Sequence, residues 1–400
     1  MEQALGDLRI LDFSRVLAGP LATMVLADLG ATVLKVERPG TGDDTRAWGP
    51  PHDAAGEATY FQAVNRNKTS VLLDLADPDD VERARELAAG AHVVVENFRP
   101  GVMDRLGLGW EELHAADPAL VFCSITGFGA GDGAALPGYD LLVQALGGLM
   151  SVTGTPDGEP QKVGVALVDV IAGLFSAVGI LAALRHRERT GEGQRVEVDL
   201  LSSLLAALVN QGSALHGAGV VGRRMGNGHP SIAPYEVLAA ADGELVVAVG
   251  TDRQFAALCD VLGVDALAAD ARFATNAARV AHRDDLRAEL EQALAARPAD
   301  AWAAELSARR VPAGRVNDVA GAFALATSLG LAPTVAIPRP DGDGAVTVTR
   351  NPIGLSETPS QYRSPPPRLR DAHTAGDAAA LWSAAAAELP SAASGDAAGS

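Results

Sequence analysis

Cysteine is nearly absent from this chain: Cys123 and Cys259 are the only two in 400 residues. They are too few and too far apart for a disulfide framework or a cysteine-based zinc cluster. Eight histidines are present, and none falls at the paired spacing that metal ligands adopt, so no metal is expected. Cations are outnumbered, with 32 Lys and Arg against 50 Asp and Glu and a formal charge of -18. Without a basic stripe, a nucleic-acid partner is excluded, although a local basic pocket is not. The N-terminus lacks a basic segment followed by an apolar signal core, and Leu8 to Phe13 already reads as a strand, so the chain is expected to stay in the cytoplasm.

Long hydrophobic runs are also scarce. The one exception extends from Val163 to Leu184, bounded by Lys162 and Arg185. It is long enough to span a membrane, but it contains Asp169, is mostly Ala, Gly and Val, and has no counterpart elsewhere, so no membrane association is expected. A lone carboxylate in such a run must be satisfied, paired or used. Two readings of Asp169 stand at this level. It caps a buried helix, or it is a nucleophile kept anionic by the positive helix end. In the second reading Gly173, one turn on, leaves room for a substrate.

What is abundant is small and apolar. With 48% hydrophobic and 20% charged residues, the composition is that of a globular α/β protein, long enough for two domains. Leu8 to Phe13, a helix from Leu21 to Leu29 and Thr32 to Val36 form a βαβ unit, the opening of a parallel sheet. Further strands are expected at Val71 to Leu75, Val93 to Asn97, Leu120 to Ile125 and Arg195 to Val198. Helices are expected at Pro78 to Gly90, Tyr139 to Met150 and Leu200 to Leu215. The Gly- and Pro-rich loop from Arg223 to Pro234 marks a boundary, after which a hairpin about Asp242-Gly243 and Ala-rich helices follow. The expected domains are 1–217, the first part of a Rossmann-like large domain; 218–334, a smaller α+β domain; 335–390, a return to the large domain; and 391–400, a disordered tail.

Arg38, Asn97, Arg99 and Arg105 fall at or after the C-terminal ends of strands, where such sheets bind ligands, and can converge on an anion or be solvated surface groups. A nicotinamide-dependent dehydrogenase fits the βαβ opening but lacks the G-x-G-x-x-G fingerprint.

Several segments together carry a resemblance: Leu11-Asp-Phe-Ser-Arg-Val-Leu-Ala-Gly-Pro20, Asp28 to Asp43, Asn65-Arg-Asn-Lys68, Val95-Glu-Asn-Phe-Arg-Pro-Gly101, Ser124 to Gly129, and the central helix with Arg187 to Gln194. The chain resembles the class III coenzyme A transferases over nearly its whole length. The resemblance implies an acyl-CoA donor and a carboxylic acid acceptor as substrates, with no permanently bound cofactor, and an interlocked homodimer. It places the nucleophile on Asp169, the CoA contacts on Val16, Leu17, Ala18, Arg38, Leu73, Asn97, Phe98 and Arg99, and a phosphate partner on Arg105. The acyl site falls on Tyr139, Asp140 and the Gly226-Asn227-Gly228 loop. Backbone N–H groups near Asp169 and in that loop are candidates for holding oxyanions.

The fold also houses α-methylacyl-CoA racemases, whose second acid/base is a His beside an Asp. Here that pair reads Tyr139-Asp140, and tyrosine, with a pKa of about 10, is a poor base at neutral pH. Transfer is therefore the expected reaction, with the racemase and a non-catalytic CoA-binding protein as alternatives. Leu17 replaces a Gln of the formyl-CoA branch, Pro137 and Ala76 replace lysines, and the Gly226 loop lacks a run of four glycines, so formyl-CoA is not the expected donor.

Overall fold

Six strands pair into one fully parallel sheet: β1 (Arg9–Asp12), β2 (Thr32–Glu37), β3 (Lys68–Leu72), β4 (Val93–Glu96), β5 (Val121–Thr126) and β6 (Arg195–Asp199). This computed structural model describes residues 3–342, 344–374 and 377–387, so the tail expected from 391 to 400 lies outside the described residues. The strand order is β3-β2-β1-β4-β5-β6, the doubly wound Rossmann-like arrangement. A sheet covered on both faces selects continuous apolar strands, and Val93, Val94 and Val95 of β4 are completely buried. The order reverses between β1 and β4, the position at which sheets of this kind bind ligands, and the loops at Ser14 and Asn97 leave the two strands there.

Three elements differ from the sequence reading. β3 begins at Lys68 and ends at Leu72 rather than running from Val71 to Leu75; polar Lys68 and Ser70 enter the sheet because buried carboxylates receive them. The helix expected from Tyr139 to Met150 stops at Leu146, because Gly148 adopts a left-handed φ of 85° before a new short turn, Leu149–Val152. One helix expected from Leu200 to Leu215 is two, Leu200–Ala207 and Val209–Ala218.

The chain divides into two compact units. The first contains the sheet and comprises the chain up to Gly147, Val163–His216 and the chain from Ala332 onward. The second comprises Gly148–Lys162 and Gly217–Leu331. Gly148–Lys162 thus departs from the sequence reading, which left it in the large domain. It joins the second unit through Arg224, whose guanidinium donates to the carbonyls of Thr155 and Gly158, and through Gly226 N–H donating to Gly154 O.

From Ala332 onward the chain is tied into the first unit. Asn67 N–H donates to Ser364 O at 3.0 Å, the Arg363 guanidinium donates to the carbonyls of Ala27, Gly30 and Ala31, and the Trp382 indole donates to Leu87 O at 3.2 Å. The second unit is α+β. An antiparallel sheet of β7 (Tyr235–Ala240), β8 (Gly243–Ala248) and β9 (Ala313–Arg315) packs with helices whose Phe255, Leu258, Leu286, Leu290, Trp302 and Leu306 fill its core.

The helix that carries Asp169, Leu167–Thr190, is long and apolar enough to cross a membrane by length and composition. Burial explains that composition over part of its surface: Val168, Ala172, Ser176, Ala177, Ile180 and Ala183 are covered, several of them completely, while Leu174, Phe175 and Val178 are exposed. Gly173 is what lets it approach the first helix, Ala18–Asp28, because a Cβ there would lie 2.6 Å from the Ala18 carbonyl oxygen. The expectation that Gly173 leaves space for a substrate is thus corrected: the backbone of the first helix occupies that space.

Candidate active site

A buried polar frame supports the loops that leave β1 and β4. Asp12 ends β1, Lys35 lies in β2 and Lys68 opens β3, and all three side chains are inaccessible to solvent. Lys35 Nζ donates to Asp43 at 2.9 Å and to Ser14 O at 2.8 Å. Lys68 Nζ donates to Asp12 at 3.1 Å, Pro20 O at 2.9 Å and Asn65 Oδ1 at 3.0 Å. Burial disfavours the charge on Asp12, but Lys68, Lys35 and the hydroxyls of Ser14 and Thr23 outweigh it and hold its carboxyl below the usual range. Burial brings Lys68 down to about 8 despite its carboxylate partner.

This frame fixes the loop after β1. Val16 has a left-handed φ of 71°, a strained conformation for a β-branched residue. Its N–H is held by both oxygens of Asp43, at 3.3 Å each, and Asp43 is itself anchored by Lys35. From the end of β4 Asn97 clasps the same loop: its Oδ1 accepts from Arg15 N–H at 2.8 Å and its Nδ2 donates to Arg15 O at 2.7 Å.

Asp169 sits in the first turn of the central helix, half-buried, near a small apolar cluster of Leu17, Met24 and Val64 against which Val16, Leu21, Tyr60, Ala166 and Val170 pack. Its side chain forms no hydrogen bond or ion pair with the described residues. Burial, and then the charge of Asp140, push its carboxyl up to about 7. The sequence reading placed the positive helix end at the service of Asp169. The structure corrects this, because Asp140 takes that position: its Oδ1 accepts from Val168 N–H at 2.8 Å and from Asp169 N–H at 3.3 Å. Those two N–H groups are therefore not free to hold an oxyanion. A carboxylate of raised basicity in an apolar wall is a competent oxygen nucleophile.

Leu17 and Ala18 are buried at the start of the first helix. Arg38, Arg99 and Arg105 project into solvent just beyond β2, beyond β4 and in the turn Val102–Arg105, and none makes an ion pair within the described residues. Three uncommitted guanidinium groups on one side of the sheet suit a polyphosphate. Leu73 is buried in the main core with its N–H on Glu37 O at 3.0 Å, and Asn97 is committed to Arg15, so neither presents a free side chain. Phe98 lies under the Arg15 guanidinium, 5.0 Å from its ring centre. Tyr139 is 66% exposed at the entry to the helix Asp140–Leu146. Gly226, Asn227 and Gly228 form a turn of the second unit, with Gly226 at a φ of 60°.

Sequence reasoning missed four contributors. Lys35 and Asp43 were read only as part of a matching segment, although a lysine inside an apolar strand signals a buried partner. Tyr60 was not singled out; it packs against the apolar cluster of Leu17, Met24 and Val64, and burial, with the charges of Asp169 and Asp140, pushes its hydroxyl up. Gln144, four residues after Asp140 on the same helix face, was also passed over.

A Rossmann-order sheet with an apolar-lined aspartate at a helix start and free cations beyond the strand ends defines an α/β protein built for an anionic nucleotide ligand and acyl chemistry. Residues 5–374 match the family model described as CoA-transferase family III, and the chain belongs to that family. It is 44% identical to the succinate–glutarate CoA-transferase of Agrobacterium fabrum, over 91% of this chain and 92% of that protein. It is 41% identical to the acetyl-CoA:oxalate CoA-transferase of Acetobacter aceti, over 90% of each. A crystal structure of a CaiB/BaiF family protein from Brucella suis superposes with a TM-score of 0.84 at 42% identity, covering 96% of this chain and all of that one.

Proposed function

We propose that this enzyme moves CoA from a dicarboxylic acyl-CoA to a short dicarboxylic acid through covalent intermediates on Asp169. The observation that carries the reading is the half-buried Asp169 carboxyl, without a hydrogen-bond or ion-pair partner among the described residues and raised in basicity by burial and by Asp140. The dicarboxylic donor is inferred from the relative named for succinate and glutarate, and the dicarboxylic acceptor from that relative and the one named for acetyl-CoA and oxalate.

The atoms balance without ATP. Asp169 attacks the donor thioester carbonyl, forming a mixed anhydride and expelling CoA thiolate. The thiolate adds to the aspartyl carbonyl, releasing the donor acid as its carboxylate and leaving an aspartyl-CoA thioester. The acceptor carboxylate attacks that thioester, expelling thiolate again, and the thiolate then takes the acceptor acyl group and restores the Asp169 carboxylate. Arg38, Arg99 and Arg105 bind the CoA phosphates, and the Val16–Ala18 loop lies along the CoA arm. Tyr139, exposed at the entry to the helix Asp140–Leu146, lines the acyl site.

The enzyme works as a homodimer with interlocked chains. In support, the central helix leaves Leu174, Phe175 and Val178 exposed at 48%, 47% and 63%, an apolar face that a second copy covers. Light scattering at micromolar concentration tests this, and a monodisperse monomer refutes it.

Incubation with succinyl-CoA and glutarate, read by mass spectrometry, should give glutaryl-CoA and succinate. Hydroxylamine should trap a hydroxamate on Asp169, and Asp169→Ala should abolish exchange. Retained exchange by that variant removes Asp169 from the mechanism. Deuterium entering the α-carbon of a 2-methylacyl-CoA would instead identify a racemase, and CoA binding without exchange a silent binding protein.

A further inference from the structure

We infer that Gln144 is a positioning residue for the nucleophile, acting through Asp140; the inference rests on the role of Asp169 proposed above. Gln144 is completely buried on the helix Asp140–Leu146, yet both ends of its amide are used. Its Nε2 donates to Asp140 Oδ2 at 2.6 Å, and its Oε1 accepts from Val163 N–H at 2.9 Å. The Val163 N–H is an obligatory donor and Asp140 an acceptor, so a flipped amide would set donor against donor and acceptor against acceptor. The side chain therefore has one orientation.

The consequence is a chain of fixed contacts. Val163 N–H orients Gln144, Gln144 holds one oxygen of Asp140, and the other oxygen of Asp140 receives the N–H groups of Val168 and Asp169. Gln144 thereby locks both the segment leading into the central helix and the negative charge that faces Asp169. The titratable groups around Asp169 are Asp140 on the neighbouring helix and Tyr60 on the helix Thr59–Ala63. Of these, only Asp140 touches Gln144. Removing the donor from Asp140 Oδ2 leaves the charge of that carboxylate less compensated, so it opposes ionisation of Asp169 more strongly at a given pH.

The test is a carbon NMR titration of the Asp169 carboxyl in substrate-free protein with labelled aspartate, the signal assigned by its loss in Asp169→Asn. In Gln144→Leu the midpoint should rise from about 7 by about half a pH unit. In an Asp140→Asn background the midpoint should already be low, and adding Gln144→Leu should move it no further. If the leucine variant does not fold, Gln144→Met carries the same measurement. An unchanged midpoint in the folded variant, or an equal shift in the Asp140→Asn background, overturns the inference. In parallel, the rate of CoA release from succinyl-CoA should drop about tenfold in Gln144→Leu with KM little changed. Asp169→Ala separates the two readings. CoA release that survives Asp169→Ala defeats the proposed function, while an unmoved titration beside a dead Asp169→Ala defeats only the role of Gln144.

Discussion

Replacing Asp169 with asparagine should make this protein more stable while abolishing its activity. The Asp169 carboxyl titrates at about 7 in the folded chain, against 3.8 for an ordinary aspartate. Because the folded value lies above the unfolded one, the folded chain binds more protons between these two values, and stability falls as pH rises through that window. Above 7 the penalty is complete; below 3.8 it vanishes. At about 1.4 kcal/mol per pH unit the complete penalty is about 4 kcal/mol, reduced to about 2–4 kcal/mol because the half-buried group keeps some contact with water. Asparagine is nearly isosteric, carries no charge, and forfeits no hydrogen bond, since the Asp169 side chain makes none with the described residues. At pH 8 the variant should therefore melt about 3 °C or more above the parent, with the advantage shrinking as pH falls to 5. Scanning calorimetry at three pH values, with mass spectrometry to exclude reversion by deamidation, makes the measurement. A variant no more stable at pH 8, or an advantage independent of pH, would show that Asp169 is not held at a raised pKa and would remove the physical basis for its reactivity.

Three further outcomes follow from the geometry. Asp140→Asn should lower the acid limb of the pH profile for CoA release, because the like charge beside Asp169 is gone; a profile unchanged from the parent refutes the coupling. Gly173→Ala should destabilise the first unit by about 1–2 kcal/mol even though alanine is the better helix former, because the new Cβ lies 2.6 Å from Ala18 O; a stabilised variant in thermal melts would show the helices are not in such contact. Arg38→Ala and Arg105→Ala should each weaken CoA binding about fivefold to tenfold in calorimetric titrations and leave kcat nearly intact, since neither touches the reacting atoms; a loss of kcat alone contradicts a phosphate role.

Much of the fold was legible because parallel strands buried on both faces have to be apolar throughout, and the runs at Ile10, Val33, Val94 and Phe122 advertise themselves. Asp169 was legible for the opposite reason, as a charge where composition leaves no room for one. The register of β3 was not, because Lys68 and Ser70 look like loop residues until Asp12 and Glu37 are known to meet them. Gln144 was equally silent, since its two partners, Asp140 and Val163, lie 4 and 19 residues away.

By itself the sequence determined the alternation of strands and helices, the parallel sheet, and the isolation of one carboxylate in an oily helix, because these follow from local periodicity and the high cost of burying charge. Only the tertiary structure decided which carboxylate occupies the helix end and which has no partner among the described residues. That choice depends on distances between Asp140, Gln144, Val163 and the first turn of the central helix. Through-space electrostatics and hydrogen-bond direction set it, and neither has a signature along the chain.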